Sequence, residues 1–256
     1  MNFKDRNNTP IIRARFAPAL RLCVFAVKIS CLLLLSSAFL CIAYAQDTKK
    51  ETDLPAPKNL KILEEYKDAK GNTIRTIQYL QGSMRVSETV IIPPGTPYVH
   101  VPIKVDTMKK DSVSLLVDKS HYRVCVYYGH RLIRTYKAVF GPRPLDNKCY
   151  EGDRCTPEGA FRISSKNPSS KYNKFLLLSY PDDSSIVRFN RLKEAGHIPA
   201  NARMGGSIGI HGIWKNGDDM IEMGVGWTDG CVALKNKDIE ELYTMVTVGT
   251  KVVIKR

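Results

Sequence analysis

The sequence predicts a mainly β protein with a few helices. Three observations carry that prediction: short runs of β-branched and aromatic residues recur through residues 59–256, turn-forming clusters separate them, and only two segments show helical periodicity. No internal repeat or low-complexity tract interrupts the pattern.

The N-terminus stands apart. Residues 1–30 carry Lys4, Arg6, Arg13, Arg15, Arg21 and Lys28 against one acid, Asp5; an apolar run over 29–42 follows and ends in Ala43-Tyr44-Ala45. A basic start, an apolar stretch short for a bilayer and an A-x-A site read as a secretory signal peptide over 1–45, cleaved after Ala45. This reading is preferred to a retained anchor helix, and to a lipoprotein site at Cys41, which bulky Phe39 and Leu40 precede. Export places the protein in the periplasm or cell envelope. The remaining chain is still basic, which suits polyanionic envelope material and argues against nucleic acid as a partner. A basic surface kept for solubility is an equal alternative.

Residues 46–58 are polar, charged and Pro-containing, a flexible tether. Strands are expected over 60–66 and 73–80, around the turn Asp68-Ala69-Lys70-Gly71-Asn72, and over 86–92, where Pro93-Pro94 stop the run. Residues 59–111 therefore form a small β-hairpin element and a Pro-containing linker, with no sign of chemistry. In 112–256, strands are expected over 113–117, 122–128, 132–140, 159–163, 175–180 and 250–254. One helix is expected over 185–195, with Ile186, Phe189 and Leu192 on one face, and another over 237–246, with Asn236 as N-cap.

Cys125, Cys149, Cys155 and Cys231 follow the expected cleavage site. In an oxidising compartment, thiols are usually paired or chemically employed. Cys149 and Cys155 bracket a short loop and form a disulfide candidate; Cys125 reads as a small buried apolar residue within a strand. Cys231 is left without a structural task.

The chemistry concentrates in 207–234, where Ser-Ile-Gly-Ile-His-Gly-Ile-Trp is followed by a variable polar segment and Gly-Trp-Thr-Asp-Gly-Cys-Val-Ala-Leu. An imidazole activates a thiol by taking its proton, which makes Cys231 the candidate nucleophile and His211 its base. Gly212 lets backbone approach and offers its carbonyl to orient the ring. The N–H groups of Gly230 and Cys231 are candidates for an oxyanion hole, with Thr228 in the same orienting set. A satisfied core histidine beside a chance Gly-Cys pair is the competing structural reading.

Ile-His-Gly (210–212) and Trp-Thr-Asp-Gly-Cys-Val-Ala-Leu (227–234) resemble the signature of the L,D-transpeptidase catalytic domain, the YkuD-like family. In order along the chain, Leu-Leu-Val-Asp-Lys-Ser (115–120), Gly-Asp-Arg-Cys-Thr-Pro-Glu-Gly-Ala-Phe (152–161), Ser179-Tyr180-Pro181 and Gly249-Thr250 agree with it. The resemblance implies a β-sandwich catalytic domain over 112–256 that acts on peptidoglycan stem peptides at a diaminoacyl residue. It further implies a thioester on Cys231 that an amine, from a second stem or a wall-attached protein, resolves. Asp229 and Ala233 stand where many members have His and Arg. Together with Gly-Asp-x-x-Thr-Pro-Glu-Gly, this is closer to a branch that includes hydrolases, so water is an alternative acceptor.

Tyr180, Ser207, Trp214, Trp227 and Arg203 are candidate substrate contacts: aromatic wall, hinge-adjacent serine and carboxylate partner. No cofactor or metal is expected. A zinc site from Cys231, His211 and Asp218 lacks the usual ligand spacing, and an inactive wall-binding module would not need both His211 and Cys231.

Overall fold

Alternating and β-branched runs become strands in this computed structural model, which describes residues 58–94 and 98–256. The expected leader (1–45) and nearly all of the tether (46–58) lie outside the described residues. Strands β1 (Lys58–Lys67), β2 (Thr73–Gln81) and β3 (Met84–Ile92) form an antiparallel sheet in that order. Asp68 holds the first turn: its carboxylate accepts from the N–H groups of Lys70 and Asn72 at 2.8 and 2.9 Å, a local bond that favours Asp in turns.

The remaining strands are β4 (Val113–Asp118), β5 (Arg123–Tyr128), β6 (Arg131–Val139), β7 (Gly159–Ser170), β8 (Asn173–Leu178), β9 (Gly209–His211), β10 (Val232–Leu234) and β11 (Lys251–Lys255). They close into one barrel, in the order β10-β6-β5-β4-β11-β7-β8-β9. The layers expected of a sandwich are therefore joined: the three-residue strands β9 and β10 link β8 to β6 and leave no open edge. Pairing is parallel at β4–β11 and β9–β10 and antiparallel elsewhere.

Inward residues such as Leu115, Val117, Val126, Ile133, Phe161, Leu176 and Ile254 fill one core. Helix α3 (Asn236–Met245) adds Ile239, Leu242 and Met245 at helical spacing, each worth roughly 1.5–3 kcal/mol of apolar burial. Helix α1 (Asp183–Glu194) is capped by Asp182, which accepts from the Ser185 N–H at 2.9 Å. The apolar face expected on α1 is not buried, because the helix lies on the surface. Helix α2 (Asp218–Met223), in the segment read as variable and polar, buries Met220 and Ile221. Its Asp218 also corrects the expected cap of α3: Asn236 is the first helical residue, and its N–H donates to Asp218 Oδ1 at 3.0 Å.

A second cluster joins the three-stranded sheet to the barrel. Ile77, Tyr79 and Val90 pack with Val139, Ile213, Met220, Ile221, Val225 and Ala233, and Trp214 and Trp227 lie against this group. The small sheet thus bears on the outer face of the β9–β10 seam, the face of Ala233. Among the described residues, no helix is long and apolar enough to cross a membrane.

Candidate active site

At the seam, β9 and β10 run parallel, with Val232 opposite Ile210 and Ala233 opposite His211. Cys231 precedes β10 and stands at the seam's mouth, two residues from the partner of His211. Strand spacing and rise put the two Cα atoms about 8 Å apart, and period-two alternation gives both residues the same face.

His211 is buried in an aromatic cage. Tyr172 and Phe175 stack on the ring at centroid distances of 5.0 and 5.8 Å, Trp227 meets it edge-on at 5.6 Å, and Trp214 backs Trp227 at 5.0 Å. Nδ1 lies 2.7 Å from the Gly212 carbonyl. A carbonyl only accepts, so Nδ1 carries the proton and Nε2 is the free acceptor. A side chain at 212 would collide with Asn236 Oδ1 at 2.6 Å and the Tyr172 carbonyl at 2.8 Å, which explains glycine there. Asn236 Oδ1 in turn accepts from the Ile213 N–H at 3.1 Å, fixing the strand end that carries the imidazole.

The loop that carries Cys231 is folded around Thr228. Its hydroxyl donates to the Cys231 carbonyl at 2.7 Å and accepts from the Gly230 N–H at 3.3 Å. The Gly230 N–H is therefore engaged at rest, which corrects the expected two-donor oxyanion hole: the hydroxyl closing this turn takes the first donor. Gly230 sits at φ +131°, and a Cβ there would lie 2.6 Å from the Cys155 carbonyl.

The thiol of Cys231 donates to the Ser207 carbonyl at 3.6 Å and accepts from the Gly209 N–H. Burial pushes it up to about 11; the Gly209 N–H opposes this and the Asp229 carboxylate reinforces it. Burial likewise pushes His211 down to about 4, against the opposing Gly212 carbonyl. Burial thus favours the neutral form of both groups. The aromatic cage offers no counter-charge to an imidazolium.

Cys149 and Cys155 are free thiols, contrary to the expected disulfide. Asp153 closes their loop instead. Its Oδ1 accepts from Lys148 Nζ at 2.9 Å and the Cys155 N–H at 3.0 Å; Oδ2 accepts from the N–H groups of Cys149 at 2.5 Å and Tyr150 at 3.0 Å. The sulfurs face different carbonyls, of Asn147 and of Asp153. Burial alone would raise the Asp153 carboxyl, but these donors together hold it below the usual range.

Among the expected contacts, Trp214 and Trp227 reach the imidazole's surroundings. Ser207 participates through its carbonyl, on a backbone at φ +55°. Tyr180 is buried edge-on against Phe161 at 6.0 Å and belongs to the core. Arg203 is exposed and pairs with Glu151 at 2.9 Å. Asp218 serves the α3 cap, and among the described residues no group of three or more His, Cys, Asp or Glu could hold a metal. Tyr172, Phe175, Asn236, Asp153 and Arg154 were not anticipated. Only the Gly-Asp-Arg-Cys stretch hinted at two of them.

The site is thus a closed barrel with Cys231 just before a short parallel seam whose other strand ends in the buried His211. The pattern of the YkuD family, the L,D-transpeptidase catalytic domain, matches residues 112–254, more than half of the chain, and the chain belongs to that family. Among solved structures it is similar to an L,D-transpeptidase from Stackebrandtia nassauensis, at 15% identity over 59% of this chain and 58% of that one, with a TM-score of 0.38. An L,D-transpeptidase from Mycobacterium smegmatis shares 16% identity over 77% and 82% of the two chains, with a TM-score of 0.35. Bd1075 of Bdellovibrio bacteriovorus shares 21% over 61% and 51%, with a TM-score of 0.39. The chain thus spans a little over half the length of the first of these structures. No curated protein matches it.

Proposed function

We propose that the protein is a peptidoglycan L,D-transpeptidase of the cell envelope that acylates Cys231 with a stem peptide and passes the acyl group to an amine. The observation that supports this best is the β9–β10 register, in which Ala233, two residues after Cys231, stands opposite His211, whose Nδ1 is held by the Gly212 carbonyl so that Nε2 is left as the acceptor. Sulfur attacks the carbonyl carbon of a diaminoacyl residue while the thiol proton moves to Nε2. An S–C bond forms and the C–N bond breaks; Nε2 returns the proton to the departing amine, which leaves as the terminal D-alanine. The incoming amine then forms a new C–N bond as C–S breaks, and its proton travels through His211 to the sulfur. The Cys231 N–H is the donor left for the oxyanion, since Gly230 is engaged by Thr228.

A neutral resting pair suits this chemistry. Proton transfer accompanies attack, so the apolar cage never holds an uncompensated ion before substrate arrives. Incubation of the protein with purified muropeptides, followed by mass spectrometry, tests the reading. Cross-linked dimers are expected, together with a carbapenem adduct on Cys231 that Cys231→Ala abolishes. Trimmed monomers alone would make water the acceptor, and an adduct that persists in Cys231→Ala would refute the nucleophile.

A further inference from the structure

Arg154 is a partly buried guanidinium on a backbone at φ +56°, a conformation that non-glycine residues adopt when their surroundings demand it. Its Nε–Nη2 edge is bound to the loop that carries the nucleophile. Nε donates to Asp229 Oδ1 at 3.1 Å, and Nη2 donates to the Trp227 carbonyl at 3.3 Å. Nη1 has no hydrogen-bond partner among the described residues. Trp227 and Asp229 lie four and two residues before Cys231, so the guanidinium is bound to the segment that leads into the sulfur-bearing residue.

The charges around it are unequal. Asp229 raises the Cys231 thiol, and Arg154 is paired with that same carboxylate; Glu88, on β3, also lies within the field of Arg154. The Arg154–Asp229 pair is solvent-accessible, with side-chain exposures of 37% and 58%. Such a pair holds its partners weakly. Another anion can therefore take the place of Asp229, or share the guanidinium through Nη1, while the Trp227 carbonyl keeps the group in position.

We infer that Arg154 is a specificity-determining residue that binds the free carboxylate of the residue leaving the stem peptide. The inference rests on the function proposed above and supplies its recognition of the leaving group. The carboxylate carbon of a C-terminal residue lies two bonds from the amide nitrogen that departs. Wherever Cys231 attacks such a bond, that carboxylate must sit beside the nucleophile loop, where the planar guanidinium offers paired donors that match it. An internal amide at the same position would present no charge.

The test uses two stem peptides that differ only in ending with D-alanine or D-alaninamide, each assayed by release of the terminal residue. The unaltered protein is expected to favour the carboxylate about tenfold or more in kcat/KM, chiefly through KM. Arg154→Asn, a residue that tolerates the left-handed backbone, is expected to erase this preference, and Arg154→Lys to retain part of it. The preference is a ratio within one preparation, so an unfolded fraction cancels, and a purely structural role would slow both peptides equally. An unchanged preference in Arg154→Asn overturns the inference while leaving acyl transfer by Cys231 intact, as does an unaltered protein with no preference. If that protein releases nothing from either peptide and no acyl group reaches Cys231, the underlying function fails with it.

Discussion

The His211 cage and the Asp153 loop are two buried polar centres that carry different charge states. Around His211 the neighbours are rings and one carbonyl, and burial favours the neutral imidazole. Around Asp153 an ammonium and three N–H groups converge on one carboxylate, and the charged form persists despite burial. The difference teaches that partners, not depth, set ionisation here. The neutral centre is suited to moving protons, and the charged centre to holding a loop.

Four experiments can break or sharpen this contrast. The largest effect is expected from His211→Gln, which should slow acylation of Cys231 by about 10²- to 10⁴-fold with little loss of stability; a fall of under tenfold in carbapenem-labelling rate would show that the imidazole is not the base. Asp153→Ala should behave oppositely and cost about 3–5 kcal/mol, because it strands the buried Lys148 ammonium. Urea unfolding measures this, and a loss below 1 kcal/mol would sink the charged-loop account.

The third experiment is a pH series. His211 titrates lower folded than unfolded, so the unfolded chain gains its proton first as pH falls. The His211 contribution to stability should fall by about 3 kcal/mol between pH 6.5 and 4 and level off below, and His211→Gln should remove that part of the slope. Asp153 has the carboxylate sign: its contribution is present above the ordinary carboxylate range and disappears as pH falls through its lowered folded value. The acid limb of activity should likewise fall near 4 rather than at the ordinary imidazole value, and alkylation of the free thiol should climb towards about 11. A labelling profile with a thiolate plateau at neutral pH would contradict the neutral pair. The smallest effect is expected from Thr228→Val, about 1–2 kcal/mol from two lost hydrogen bonds around a buried threonine, read by thermal melting.

Much of this was legible in residue order. The turn at Asp68–Asn72, the longer strands and helix α3 follow from periodicity and local turn chemistry, and Gly212 beside His211 foretold the orienting carbonyl. Strand β10 was missed because three residues are too few to show a period, and α2 because its buried Met220 and Ile221 sit among acids. The disulfide expectation failed for a related reason: spacing brings Cys149 and Cys155 near each other, but Asp153 supplies a closure that spacing does not reveal.

By itself, the sequence determined the strand-rich class, the family through its ordered motifs, and the two residues on which the chemistry is proposed to rest, since each depends on neighbours close along the chain. Only the tertiary structure decided that the barrel closes through β9 and β10, that Tyr172, Phe175 and Trp227 surround the imidazole, and that Arg154 lies against the nucleophile loop. Those arrangements, and the burial that favours the neutral forms of the cysteine and histidine, arise from contact between segments remote in sequence, which no local pattern encodes.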